Sequence, residues 1–222
     1  MITRVLKVMT AMAGAAMLWV ALPATAPAAD MFADTAGNDP WAGITWMVRG
    51  RVIGMIPDEN DGRLGGAPAG LRVNNAVMPE LDFSYFFTDN FAAELILAAT
   101  PHDVSLSGTG KITELWVLPP TLTFQYHHHM GAFKPYVGVG VNYTIILDSD
   151  GTAAIGGVDS WEDAFGFAVQ FGFDYALDDR WSLNFDVKKI WLNLDAKVTA
   201  AGTKASVDLD PWVIGGGLGY RF

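Results

Sequence analysis

The chain has 222 residues, 51% of them hydrophobic and 12% aromatic, with no cysteine and a formal charge of −10. That length allows one domain with a sizeable core, and the acidic balance disfavours nucleic acid and any purely electrostatic docking onto anionic lipid. Without thiols, disulfides, thiolate metal sites and cysteine nucleophiles are excluded.

Arg4 and Lys7 precede an apolar run, Val8 to Leu22, and Ala26-Pro27-Ala28 supplies a small-residue cleavage site. Residues 1–28 therefore read as a secretory signal peptide. Its removal takes those two basic residues and no acidic one, moving the charge from −10 to −12. A membrane anchor is the other reading, but no basic stop-transfer flank follows. Residues 29–41 are polar and read as a free periplasmic arm, and 42–222 as one β domain. No later run reaches about 18 apolar residues, so any further membrane crossing uses strands.

From Ile44 the sequence alternates at period two. Trp46, Val48 and Val52 lie on one face of the first strand, with Arg49 and Arg51 on the other. A Gly/Asp/Asn loop, Asp58 to Asn75, leads to a strand that sets Leu81, Phe83, Tyr85 and Phe87 against Glu80, Asp82, Ser84 and Phe86. After the tight turn Thr88 to Asn90, Ala93, Leu95 and Leu97 oppose Glu94 and Ile96. A loop from Pro101 to about Thr113 precedes a strand with Leu122, Phe124 and Tyr126 opposite Thr121, Thr123 and Gln125. The turn His127 to Ala132 leads into Val137, Val139, Val141 and Tyr143, opposite Gly138, Gly140, Asn142 and Thr144.

A Gly/Asp loop (148–160) then gives way to Ala164 to Leu177, where Phe165, Phe167, Val169, Phe171, Phe173 and Tyr175 occupy every second position. Past the turn Asp178 to Arg180, the apolar parity runs through Trp181, Leu183, Phe185 and Val187, then switches to Ile190, Leu192 and Leu194. That switch predicts a β-bulge near Lys188 and Lys189. After a last loop, Trp212, Ile214, Leu218, Tyr220 and Phe222 share a face, with Gly215, Gly217, Gly219 and Arg221 on the other.

About eight strands with alternating short turns and long loops match the pattern of a transmembrane barrel. A soluble sandwich also alternates, but here the non-apolar face carries glycines and lone charges on many strands. Such charges pair across a narrow lumen, whereas a bilayer requires a closed sheet with every backbone group bonded. Trp41, Trp46, Tyr85, Trp116, Tyr126, Tyr143, Tyr175, Trp181 and Tyr220 stand near predicted strand ends, as girdle residues do. The expected fold is therefore all-β, an eight-stranded antiparallel up-and-down transmembrane barrel.

Five segments carry a resemblance: Leu97 to Pro101 (LAATP), Leu118 to Leu122 (LPPTL), Lys134 to Thr144 (KPYVGVGVNYT), Leu209 to Val213 (LDPWV) and Gly219 to Phe222 (GYRF). In this order they resemble the outer-membrane protein W (OmpW) family over nearly the whole mature chain. The resemblance implies an outer-membrane barrel with a narrow, largely apolar passage, taking up small hydrophobic molecules that leave sideways through the wall. A closed structural or surface-interaction barrel is the alternative. Lys188 and Lys189 stand where some members are more aromatic, which puts charge into the expected passage.

The residue-level expectations are these. Ile96, Leu97 and Trp191 line an apolar funnel in the extracellular half, while Arg49, Arg51, Glu80, Asp82, Glu94 and Asp174 plug the periplasmic half. The alternative for the apolar three is that they face lipid. Tyr220 and Phe222 form a C-terminal signal of the kind read by the barrel assembly machinery. Outer-membrane lipid, lipopolysaccharide and small hydrophobic solutes are the other expected partners, and no cofactor is needed. His127 and His129 point the same way in a strand and suit chelation, yet no third ligand is evident and a polar turn explains them. His102, Asp103 and Ser105 invite a hydrolase reading, against which stands the flexible loop that holds them. The acidic residues Asp58, Glu59, Asp61, Asp148, Asp150, Asp159, Glu162 and Asp163 read as a solvated rim.

Overall fold

In a computed structural model of the chain, the described residues are 39–58, 60–64, 67–68, 71–106, 110–151, 158–198 and 203–222. The expected signal peptide, most of the expected arm, and Glu59 lie outside them.

Eight long strands form the wall: β1 (Trp46–Ile56), β2 (Ala76–Phe86), β3 (Phe91–Ala98), β4 (Thr121–His127), β5 (Phe133–Gly151), β6 (Ala164–Ala176), β7 (Trp181–Val198) and β8 (Trp212–Arg221). Each pairs antiparallel with its sequence neighbours, and β8 closes on β1 from Met47↔Arg221 to Ile56↔Trp212. Closure leaves no open edge, the condition hydrocarbon imposes on a sheet.

Period-two alternation sorts the side chains. Phe167 is 64% exposed, Phe171 58% and Phe185 40%, while their neighbours Gly166, Ala168, Gln170, Gly172 and Asp186 are buried. Along β6 and the first half of β7 the large groups thus face outward and the small and polar ones inward, the inverse of a soluble sandwich. Trp46, Trp116, Tyr126, Tyr143, Tyr175 and Trp181 are exposed on this outer surface.

The short-turn end is ordered by local bonds. Asp178 accepts hydrogen bonds from Trp181 N and Arg180 N, both at 2.7 Å, and these hold its carboxyl below the usual carboxylate range. At the other end, segments expected as loops are partly strands. Thr100–Leu106 and Gly110–Leu118 form a hairpin whose second arm pairs with the far end of β5. Thr203–Asp208 bridges β7 and Asn60–Leu64, and Val158–Trp161 pairs with β7. Their Gly and Asp residues read as loop in the sequence, yet Asp61, Asp103, Asp148, Asp150 and Asp159 all fall within strands that extend the ladders.

The predicted bulge is absent. β7 runs through Lys188 and Lys189 in continuous register with both β6 and β8. Burial also alternates unbroken, with Asp186, Lys188, Ile190, Leu192 and Leu194 all inward. The parity switch in the sequence is a change of lumen chemistry, from polar below Lys188 to apolar above it.

One approach in the wall is too close for a side chain. A Cβ on Gly217 of β8 would lie 2.0 Å from Gly50 O and 2.7 Å from Arg51 Cα of β1. Both obstacles are backbone in the closing strand pair, so they cannot swing aside. Gly217→Val is expected to cost about 3 kcal/mol, read as a lowered urea midpoint for unfolding in lipid vesicles.

Candidate functional site

The lumen has three storeys, set by which residues fall on inward positions of each strand. At the short-turn end, Trp41, Met47, Phe86 and Ala92 form a small apolar cluster. Trp41 is fully buried, which corrects its reading as the end of a free arm and a girdle residue. Its Nε1 donates to Gly131 O at 3.0 Å, and the Arg221 guanidinium carbon stacks 4.3 Å from its ring centroid. Lys134 Nζ lies 4.3 Å from the Phe86 ring and 5.2 Å from that of Trp41. Arg221 also donates to Pro40 O at 3.1 Å and to Trp181 O at 3.2 Å. This segment caps the barrel mouth. Trp41→Ala is expected to lower stability by about 3 kcal/mol, the low end for deleting a buried tryptophan, measured by the same vesicle unfolding.

The middle storey is a buried ionic network. Arg49 donates to Asp174 through Nε (3.0 Å) and Nη2 (2.6 Å), and through Nη1 to Glu94 (2.8 Å) and Ser84 (2.6 Å). Arg51 Nε lies 2.6 Å from Asp82 and 2.8 Å from Glu80, off the N–H axis, so charge attraction and not a directed bond holds them. Lys188 Nζ bridges Glu80 (3.0 Å) and Asp186 (2.7 Å). Gln125 and Gln170 donate to Glu94 at 2.6 and 2.9 Å, Tyr136 donates to Asp186 at 2.8 Å, and Asn184 to Asp174 at 2.9 Å.

The six charged residues expected to meet are thus brought together. The inward charge of Asp186 and the charge of Lys188 in the passage were also legible in the sequence, without being assigned to the network; the sequence reading missed Gln125, Gln170, Tyr136, Asn184 and Ser84. All occupy the same inward parity as the six, and that was the available signal. Eight strands enclose a lumen just wide enough for side chains, and this network fills it.

The top storey is apolar. A cavity of about 70 Å³ is lined by Ile53, Met78, Ile96, Ala98, Ile190, Leu192, Leu194 and Val213 among others, with Glu80 and Lys188 also on its surface. On the same measure one water needs roughly 10–15 Å³, so the space suits a small apolar body. Of the three residues expected to line a funnel, Ile96 does. Leu97 and Trp191 do not: Trp191 is 45% exposed beside outward Phe167, and Leu97 pairs with outward Leu81. Inward Glu94 and Ile96, like inward Lys188 and Ile190, force the intervening parity outward.

The wall is interrupted beside this cavity. β3 pairs with β4 from Phe91↔Tyr126 to Ile96↔Thr121, and pairing resumes only at Thr100↔Val117. Leu97, Ala98 and Ala99 lie opposite Leu118, Pro119 and Pro120 in the gap, and proline has no N–H to give a ladder. Ala98, Val117, Pro119 and Thr121 all line the cavity.

The histidines diverge. His127 is buried against Gln125 Oε1 at 2.9 Å, whereas His129 contacts the Asp39 carboxylate and donates from Nε2 to Asp89 O at 2.7 Å. They do not converge as a chelating pair, because Asp39 draws His129 to the capping segment. Tyr220 and Phe222 lie ring to ring, 4.9 Å apart, at the closing edge. The side chains of His102, Asp103 and Ser105 lie outside the described ones.

The sequence model of the OmpW family matches residues 43–222. Outer-membrane protein y4mB of Sinorhizobium fredii is 41% identical, over 94% of this chain and 90% of the relative. Outer membrane protein W of Vibrio cholerae is 34% identical over 91% and 97%. The dibenzothiophene metabolism operon protein PahQ of Pseudomonas aeruginosa is 31% identical over 73% and 79%. The crystal structure of the outer membrane protein OprG from Pseudomonas aeruginosa matches with a TM-score of 0.73 at 34% identity, covering 85% of this chain and 99% of that one.

Proposed function

The chain belongs to the OmpW family, and from that premise we propose that it is an outer-membrane conduit for small hydrophobic molecules, which enter from outside and leave sideways into the bilayer. One observation carries the reading: the apolar cavity borders a break in the described wall ladder, at Leu97–Ala99 opposite Leu118–Pro120, and lies above a sealed floor. A solute in that cavity meets a charged network below and a proline gap at its side. Crossing the network means displacing buried ion pairs, which costs several kcal/mol, whereas the gap opens onto hydrocarbon. The name of PahQ links one relative to the metabolism of dibenzothiophene, an apolar aromatic sulfur heterocycle. In this orientation the short turns face the periplasm and the long loops face outward. The leader of residues 1–28 is the proposed export signal, and Tyr220 and Phe222 the signal for the assembly machinery.

The sealed floor and the Trp41 cap also support the other reading, a closed structural barrel. Deletion separates the two. Cells lacking the gene are expected to take up radiolabelled alkane or naphthalene more slowly, with recovery on complementation. Unchanged uptake on deletion would reject the conduit and leave the closed barrel.

A further inference from the structure

The apolar storey has one polar side, and its hydrogen bonds are all spent in one direction. On β4 and β5, Thr121, Asn142 and Thr144 face the cavity, where the other strands, Glu80 and Lys188 apart, present mainly Ile, Leu, Met and Val. Thr144 Oγ1 donates to Asn142 Oδ1 at 2.8 Å. Asn142 Nδ2 donates to Thr121 Oγ1 at 2.8 Å and to Pro119 O at 3.3 Å, and Thr121 Oγ1 donates to Pro119 O at 3.3 Å. The ladder therefore ends at the wall gap.

A hydroxyl has one proton and two lone pairs, and an amide has two N–H donors and two lone pairs on oxygen. Every donor in this ladder is already used within it. What remains is acceptor capacity: both lone pairs of Thr144 Oγ1, the second on Asn142 Oδ1 and the second on Thr121 Oγ1. A guest can satisfy these only by donating. The cation lining the cavity among the described residues, Lys188, is engaged by Glu80 and Asp186, so an incoming carboxylate finds a neighbouring carboxylate and no unpaired positive charge.

We propose that the Thr121–Asn142–Thr144 ladder selects, among small apolar solutes, those bearing a single hydroxyl, such as phenols and alkanols, over plain hydrocarbons and over carboxylates. This rests on the conduit reading above and sharpens its substrate class. The donor end of the guest docks on the ladder beside the gap, and its apolar body fills the space under Ile190 and Leu192.

The test is binding of three matched probes, 4-fluorophenol, fluorobenzene and 4-fluorobenzoate, to the full barrel in lipid nanodiscs by fluorine NMR, with empty nanodiscs as baseline. A neutral hydrogen bond contributes about 0.5–1.5 kcal/mol, so 4-fluorophenol is expected to bind about fivefold more tightly than fluorobenzene, and 4-fluorobenzoate no more than the baseline. Thr144→Val and, separately, Asn142→Leu are expected to bring the phenol-to-fluorobenzene ratio close to one; either alone suffices if the other fails to fold. Equal binding of phenol and fluorobenzene by the unaltered protein overturns the selectivity and leaves the conduit reading standing. Binding of none of the probes overturns both.

Discussion

Replacing Arg49 by methionine is expected to cost about 3–5 kcal/mol, the range for removing one partner from a buried ion pair. The guanidinium serves two carboxylates from different strands, Asp174 with Nε and Nη2 and Glu94 with Nη1. All three side chains are fully buried, so water cannot replace the lost contacts. Five carboxylates (Glu80, Asp82, Glu94, Asp174, Asp186) already face three cations (Arg49, Arg51, Lys188) in this storey. Losing one cation leaves that imbalance worse in a low dielectric, where each unpaired charge costs most.

The prediction carries its own control. Asp174→Asn in the same chain removes one orphaned charge, and an amide oxygen at that position still accepts from Asn184. The double variant is therefore expected to unfold at a higher urea midpoint than Arg49→Met alone, a coupling of roughly 1 kcal/mol or more. A midpoint for Arg49→Met equal to that of the unaltered protein would mean that the network contributes nothing to holding the barrel closed.

Much of the wall is legible in the sequence because a closed sheet leaves no ambiguity of face. Phe165 through Tyr175 must point one way, and in hydrocarbon that way is outward. The inward charges follow by the same parity, which is why Arg49, Glu94 and Asp174, far apart in the chain, meet as expected. Reading failed where parity alone does not decide. Ile190, Leu192 and Leu194 are as apolar as the outward residues, so a lumen that turns from polar to apolar mimics a bulge. Trp191 then inherits the wrong face. Trp41 failed for another reason: it stands outside any strand, so no alternation governs it, and only the Arg221 and Lys134 cations waiting at the barrel mouth fix its place. The hairpin of Thr100–Leu106 and Gly110–Leu118 was hidden because its Pro, Asp, Ser and Gly residues read as a loop in the sequence.

The interruption at Pro119 and Pro120 was visible as a dipeptide in a strand, but its meaning depends on what lies behind it. A proline pair in a solid lumen would be a local weakness. Here Ala98, Pro119 and Thr121 line the apolar cavity itself, so the missing N–H groups separate that space from lipid with side chains alone.

Restoring the two donors tests this most directly. Pro119→Val with Pro120→Val restores both N–H groups; Pro120 O already accepts from Tyr143 N of β5, and successive N–H groups of a strand point to opposite neighbours, so position 119 supplies the donor toward Leu97–Ala99 and position 120 the one toward β5. The measurement is the initial rate of radiolabelled naphthalene uptake by cells whose only copy is this variant. The account predicts a folded barrel in the membrane and an uptake rate about tenfold or more below that of the unaltered protein, because each passage must then break a closed ladder in hydrocarbon. A folded variant that takes up naphthalene as fast as the unaltered protein would contradict exit through the wall.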